Sequence, residues 1–256
     1  MKIVIVDSLD RGIAYGEACF ETFRVINGKV FDWPAHWNRL ALGLAAYGLL
    51  LPVGQDEELL FACLREADRA GPDTLVRLTI SGGEASWGLA TKAAEPAMFI
   101  QVMPYTDDQQ PGSLRLKSWP FPLKEKKSKF TSDYAETLRA LQGGPDINVL
   151  FEKGGLLIAA ATANLLVYRS GQWWTPKEGA GVLPGIIRGF LIQAGLVEET
   201  DCPVEWLEDC EAIALCNSGQ FIRAVCSIDA VSEYDTEHPA ILGLKASLKS
   251  CDGVQL

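Results

Sequence analysis

Six apolar runs of five to eight residues crowd the second half of this chain: NVLFEK, GLLIAAA, NLLVYR, QWWTP, EAIALCN and FIRAVCSI. Runs this short, rich in β-branched and aromatic residues and punctuated by Gly-Gly, Ser-Gly and Asn-Ser turns, form strands rather than helices. A helical segment, PGIIRGFLIQAG, interrupts them. The first half is also mixed. Residues 2–6 (KIVIV) and 20–26 (FETFRVI) read as strands, and Asn27-Gly28 is a hairpin turn. Pro34 opens a helix to about Tyr47, with Trp37, Leu40, Leu44 and Tyr47 as an apolar stripe and His36, Arg39 and Gly43 on another face. Residues 56–69 form a second amphipathic helix, and TLVRLTISGG and AMFIQVMPY are further strands. Strands and helices in both halves exclude a helical bundle and predict an α/β (α+β) fold in two lobes. The polar stretch 106–114 (TDDQQPGSL) has no periodicity and is the candidate linker. The expected division is a small domain over residues 1–108, a linker over 109–122 and a larger domain over 123–256. The segment after the linker holds a short strand (LRLKSW), a Pro-broken stretch and a helix from about Ser132 to Leu141.

Charge narrows the partners. Lys plus Arg number 23 against 33 Asp plus Glu, a net charge of −10, which disfavours nucleic acid and anionic membranes because both reward basic surfaces. No apolar run approaches the roughly 20 residues of a membrane span. The opening MKIVIVDSLDRG has too short an apolar run for a signal peptide. Seven cysteines without CxxC spacing read as reduced thiols of a cytoplasmic protein rather than a disulfide or zinc framework.

Few residues remain that can carry chemistry. The histidines are His36 and His238, the latter in a surface-like loop, and no Ser or Cys context supports a His-based triad; no phosphate-loop motif occurs. Lys124, Lys126, Lys127 and Lys129 form either a solvated basic turn or the source of one amine nucleophile, which needs desolvation or a cationic neighbour. Lys129 is best placed, being followed by Phe130, a hydroxyl pair and a helix start; Lys127 competes. Leu183–Arg188 runs from a loop into a helix whose first amides can bind phosphate, or is a plain turn. Arg39 is either a phosphate clamp or a solvated helix charge. Arg24 and Arg77 each interrupt an apolar strand, and a guanidinium there needs an anion. That anion is either a substrate carboxylate or an internal Asp or Glu.

The order of these residues resembles the class IV (fold type IV) pyridoxal-phosphate enzymes, a group that includes branched-chain and D-amino-acid aminotransferases and 4-amino-4-deoxychorismate lyase. The opening DRGIAYGEACFETFRVINGKVFDWPAHWNRL carries the DRG turn, the FET strand and the HxxRL helix. KFTSDY, ATANLLVYRSGQWWTP, LPGIIR and ALCNS continue the likeness across nearly the whole chain. It implies a two-lobed fold like D-amino-acid aminotransferase, with pyridoxal 5'-phosphate in the cleft between lobes, and a homodimer acting on a small molecule. Carried over residue by residue, it implies that Lys129 bears the cofactor and that Tyr134 hydrogen-bonds its phenolic oxygen. Arg39, the amides of Ile186 and Ile187, and Asn217 and Ser218 would bind its phosphate. Thr22 would bring a hydroxyl near the lysine, and the strand guanidiniums of Arg24 and Arg77, read from their apolar surroundings rather than from the resemblance, are the expected clamps for substrate carboxylates.

Within the group, Ala163-Asn164-Leu165 and Leu215-Cys216-Asn217-Ser218 look more like the lyases, whereas Glu21-Thr22 and Arg77 resemble the aminotransferases. The resemblance therefore implies a carbon–oxygen lyase of folate biosynthesis, converting aminodeoxychorismate to 4-aminobenzoate and pyruvate. The alternatives are a class IV aminotransferase for branched-chain or D-amino acids, or a non-catalytic binding protein. One departure is marked: Ala159 stands where the family pattern E-x-x-x-x-N places the glutamate that holds the pyridine nitrogen protonated.

Overall fold

The computed structural model describes residues 5–52, 54–106, 110–142, 148–179, 181–229 and 232–249. The chain divides into two compact units. The first comprises residues 1–28, 32–104 and 127–136, the second residues 29–31, 105–126 and 137–256. The lysine segment, expected with the second half, thus returns to the first unit.

In the first unit, Ala18–Ile26 pairs antiparallel with Asp73–Ser81, which pairs antiparallel with Ala97–Pro104. Asn27 and Gly28 both have positive φ, as the turn after Ile26 demands. Side chains alternate across the sheet: Cys19, Glu21, Phe23 and Val25 share one face, and Phe20, Thr22 and Arg24 the other. The helix Trp33–Ala46 starts at Asp32, whose carboxylate accepts from the Ala35 amide at 3.2 Å, and Pro34 lies in its first turn where a missing N–H costs nothing. It buries His36, Arg39, Leu40, Gly43 and Leu44, so the face carrying the polar residues is as deeply buried as the apolar stripe. A second helix, Gln55–Ala70, buries Leu59, Cys63 and Ala67 and packs on the Asp73–Ser81 and Ala97–Pro104 strands.

The second unit is built on a nine-stranded mixed sheet. Its path runs Val197–Thr200, Gln172–Pro176, Asn164–Arg169, Ala212–Asn217, Phe221–Ile228, Gly112–Ser118, Val149–Lys153, Leu156–Ala160. Ser232–Glu233 pairs with Phe221–Ile228 beside that path. Leu165, Val167, Ile213, Val225 and Leu150 lie at 0% exposure in its core. The helix Ile186–Gln193 packs on Ala212–Asn217 and Val197–Thr200.

Several sequence expectations change. The strand expected over 2–6 falls largely on residues 1–4, outside the described residues, and Ile5 and Val6 are exposed without strand pairing. The first strand among the described residues is Leu9–Asp10, paired with Glu84–Ala85. Half of the linker expected over 109–122 is a strand: Gly112–Ser118 lies parallel to Val149–Lys153, because its alternating Leu114 and Leu116 join the core. Residues 107–109 of the candidate linker lie outside the described residues. His238 lies in a loop, directly before a helix, Pro239–Lys249, that the sequence did not announce; its Nδ1 accepts from the Ala240 amide at 3.2 Å.

Candidate active site

Lys129 is held by backbone pairing. The Phe20 amide donates to the Lys129 carbonyl at 3.0 Å, and Cys19 bridges Phe130, so the lysine segment adds itself to the edge of the Ala18–Ile26 strand. Thr131 Oγ1 donates to the Gly16 and Ala18 carbonyls, both at 3.2 Å. A 3₁₀ turn, Thr131–Asp133, then leads into the helix Tyr134–Ala140. Lys127 is exposed, whereas Lys129 is half-buried. Burial pulls the Lys129 amine down to about 8; the Arg39 and Arg77 guanidiniums add to this, and Glu21 works against it.

Three candidate groups converge on the ring of Phe20, a residue the sequence did not single out. The Arg77 guanidinium lies 3.6 Å from the ring centroid, the Lys129 amine 5.4 Å, and the Tyr134 ring 5.1 Å. Thr22 is half-buried, two positions along the same face, and is the direct cross-strand partner of Arg77. Among the described residues Arg77 has no carboxylate partner; besides Phe20 it has only a long contact to Thr79 Oγ1 at 3.4 Å. It is a half-buried cation stacked on an aromatic face, which suits an incoming anion.

Arg24 differs. Its guanidinium is buried against Asp73, with Nε donating to Oδ1 at 2.7 Å. The internal anion that the sequence left open is therefore present, and Arg24 is paired with Asp73.

Arg39 is 5% exposed and not a solvated charge. Its Nε donates to Glu21 Oε1 at 2.8 Å and its second arm to Oε2 at 2.7 Å, while His36 Nδ1 lies 2.6 Å from Oε2. Burial opposes ionisation of Glu21, but the hydrogen bonds from Arg39 and His36 win and hold its pKa at about 2. Burial lowers the pKa of His36, with its bond to Glu21 opposing. The Glu21–His36–Arg39 cluster was missed as a unit; its signal was the shared helical face of His36, Arg39 and Gly43.

The second unit holds its own cluster. Gly185 caps the helix Ile186–Gln193 with no side-chain hydrogen bond, leaving the first amides without a side-chain partner. A Cβ at Gly185 would run into Asn164 Oδ1. Asn164, 6% exposed, donates to the Leu183 carbonyl at 2.9 Å and pairs across the sheet with Cys216. The Asn217-Ser218 turn follows at once: Asn217 Oδ1 accepts from the Gly219 and Gln220 amides at 2.9 and 2.8 Å. Asn164 therefore ties the helix start and this turn to the same end of the sheet. The strand Leu156–Ala160 presents Ala159, half-buried, opposite Phe151. Glu152, the nearest upstream acid, accepts from the Gly155 amide at 3.2 Å on the adjoining turn.

Each unit offers its own chemistry: in the first, an amine of lowered pKa and a tyrosine hydroxyl suit a group with an aldehyde and a phenolic oxygen, and in the second, helix-start amides beside a glycine with no room for a Cβ suit a phosphate. Among the described residues no His, Cys, Asp or Glu cluster fits a metal ion, and no helix is long and apolar enough to cross a membrane.

Comparison with known proteins agrees with that chemistry. Residues 18–228 match the family described as amino-transferase class IV. The aminodeoxychorismate lyase of Bacillus subtilis (strain 168) is 26% identical over 214 residues, covering 75% of this chain and 69% of its own length. A putative branched-chain-amino-acid aminotransferase of Methanocaldococcus jannaschii is 23% identical over 199 residues, covering 73% and 68%. A solved structure of a putative 4-amino-4-deoxychorismate lyase from Legionella pneumophila has a TM-score of 0.79 at 28% identity, covering 97% of this chain and 95% of that one. With the match running from the strand that carries Glu21 through the lysine segment to the Asn217-Ser218 turn and beyond, the chain belongs to the class IV aminotransferase family of fold type IV, enzymes that depend on pyridoxal phosphate.

Proposed function

We propose that this enzyme is a 4-amino-4-deoxychorismate lyase, releasing pyruvate and 4-aminobenzoate. The observation that carries this reading is Ala159, set in the strand where the family pattern expects a carboxylate, with Glu152 engaged at the adjoining turn. Pyridoxal phosphate, when bound, supplies an electron sink for the carbon that bears the substrate's amine. Without a carboxylate at position 159 that sink is weaker, and amino transfer, which depends on it fully, suffers most. Loss of pyruvate ends in an aromatic ring, a driving force that tolerates the weaker sink. Relatives named as lyases, 26% and 27% identical, support the same reading.

The residues divide the work as follows. Lys129, Arg39, Tyr134, the amides of Ile186 and Ile187, and Asn217 with Ser218 hold the cofactor. Lys129 Nζ, with its pKa near 8, keeps a neutral fraction of about one in ten at pH 7. It takes the proton from the ring carbon next to the substrate's amine and returns one to the departing enolpyruvate, acting as base and then acid. Arg77 orients a substrate carboxylate above Phe20, and Thr22 adds its hydroxyl on the same face. Homodimer formation and a cytoplasmic location belong to this reading; the six cysteines among the described residues are all free thiols.

The test is pyruvate release from aminodeoxychorismate, followed by coupled NADH oxidation, alongside amine transfer from D-alanine or a branched-chain amino acid to 2-oxoglutarate. Pyruvate release without amine transfer is expected. Amine transfer without pyruvate release would make the protein an aminotransferase, and neither activity would make it a binding protein.

A further inference from the structure

Ser128 is 2% exposed although it sits in a lysine-rich run beside the exposed Lys127. Its hydroxyl donates to the Arg39 carbonyl at 2.8 Å, inside the helix Trp33–Ala46. It fits there because residue 43 is glycine. A Cβ on Gly43 would collide with Ser128 Oγ, and would stand 2.9 Å from Ser128 Cβ and 2.8 Å from Cys19 Sγ. Cys19 and Phe20 in turn pair with Phe130 and Lys129. The backbone around Lys129 is thus fixed to the strand on one side and, through the Ser128 hydroxyl, to the helix on the other. Arg39 is held at both ends, its guanidinium by Glu21 and its carbonyl by Ser128.

We propose that Ser128 is a positioning residue: seated on Gly43 and bonded to the Arg39 carbonyl, it fixes where the Lys129 amine stands relative to the Arg39 and Arg77 guanidiniums. This rests on Lys129 being the cofactor-bearing lysine. Charge repulsion varies inversely with distance, so the placement of the segment tunes the amine's acidity. The charged and titratable groups around Lys129 are Arg39 and His36 from the helix, Glu21 from the strand, Arg77 from the neighbouring strand and Tyr134 from the helix that follows. Loss of the Ser128 bond leaves the segment held on its strand side, by the Phe20 amide and the Thr131 hydroxyl, and loosens it where it meets the helix. The amine then moves away from the guanidiniums and out of its buried setting, and its pKa rises.

The experiment uses the full-length chain in two steps. Incubation with pyridoxal 5'-phosphate, borohydride reduction and peptide mapping identify the labelled lysine. Competitive acetylation of the cofactor-free protein across pH then reads the midpoint of that lysine. For the unaltered chain we expect the label on Lys129 and a midpoint near 8. Ser128→Ala should raise the midpoint by about half a pH unit or more, and lower acetylation of Lys129 at pH 7 by about threefold. Ser128→Cys, close in shape but a weak donor, should move it in the same direction and decides the matter if the alanine variant does not fold. Leu59→Ala, in the buried face of Gln55–Ala70, destabilises the unit without touching the lysine segment and should leave the midpoint alone. An unchanged midpoint in the Ser128 variants, or an equal rise in Leu59→Ala, overturns the proposal. Label absent from Lys129 in the unaltered chain overturns the lysine assignment itself and the proposal with it.

Discussion

Replacing Glu21 by Gln should cost more than most single substitutions, and the structure says how much. Glu21 and His36 are at 0% exposure and Arg39 at 5%, and the carboxylate accepts from Arg39 at 2.8 and 2.7 Å and meets His36 at 2.6 Å. Gln can still accept on one oxygen, but its amide turns donors toward other donors and removes the carboxylate charge to which Arg39 is bonded. Breaking one partner of a buried pair costs about 3–5 kcal/mol. Proton linkage gives a similar figure. Burial raises the carboxyl pKa, but the Arg39 and His36 bonds bring it from its ordinary 4.5 to about 2, and at about 1.4 kcal/mol per pH unit this is worth about 3 kcal/mol. Because the folded value is the depressed one, this stability is complete above pH 4.5 and is lost as pH falls toward 2. Urea unfolding measured from pH 7 down to pH 3 checks both consequences. Glu21→Gln should lose about 3 kcal/mol or more at pH 7, and should lose less additional stability than the parent chain below pH 4.5. The double variant Glu21→Gln/Arg39→Met should cost less than the two singles summed. A loss under about 1 kcal/mol at pH 7, or an acid dependence identical to the parent's, would refute the view that this pair is a buried, fully charged unit.

Other consequences can be checked as directly. Lys129→Ala should abolish the borohydride-trapped phosphopyridoxyl label while Lys127→Ala retains it; label persisting in the first variant would reassign the lysine. Gly185→Ala should weaken pyridoxal phosphate binding by about tenfold or more in a fluorescence titration, because the added methyl meets Asn164 Oδ1 and displaces the helix start. Arg77→Met should chiefly raise KM for the dicarboxylate substrate, and an unchanged KM removes Arg77 from the substrate site. Ala159→Glu should raise the ratio of transaminase to lyase turnover; if neither rate moves, the carboxylate is not what sets the chemistry.

Much of the molecule was legible locally. Short apolar runs give most of the strands from Val149 to Ile228, and Pro34 together with an apolar stripe gives the helix Trp33–Ala46. Lys129 stood out among four lysines because a hydroxyl pair and a helix follow it, and the structure puts it, not Lys127, in a half-buried setting. The helix Pro239–Lys249 and the strand Val197–Thr200 were not legible, since their patterns are short and their stability comes from the sheet they pack on or extend.

Side-chain periodicity and the backbone conformations open to Gly, Asn and Pro were enough to mark most of the elements, the turns that join them and the lysine and arginines that can carry chemistry. Tertiary structure decided what each charge means. Arg24, Arg39 and Arg77 look alike in the chain, yet the first is neutralised by Asp73, 49 residues away, the second is locked to Glu21, and the third lies on Phe20 with no carboxylate among the described residues. It likewise returned residues 127–136 to the first unit. A guanidinium's partner is set by strand register and helix docking between segments far apart in sequence, and no local pattern encodes that distance.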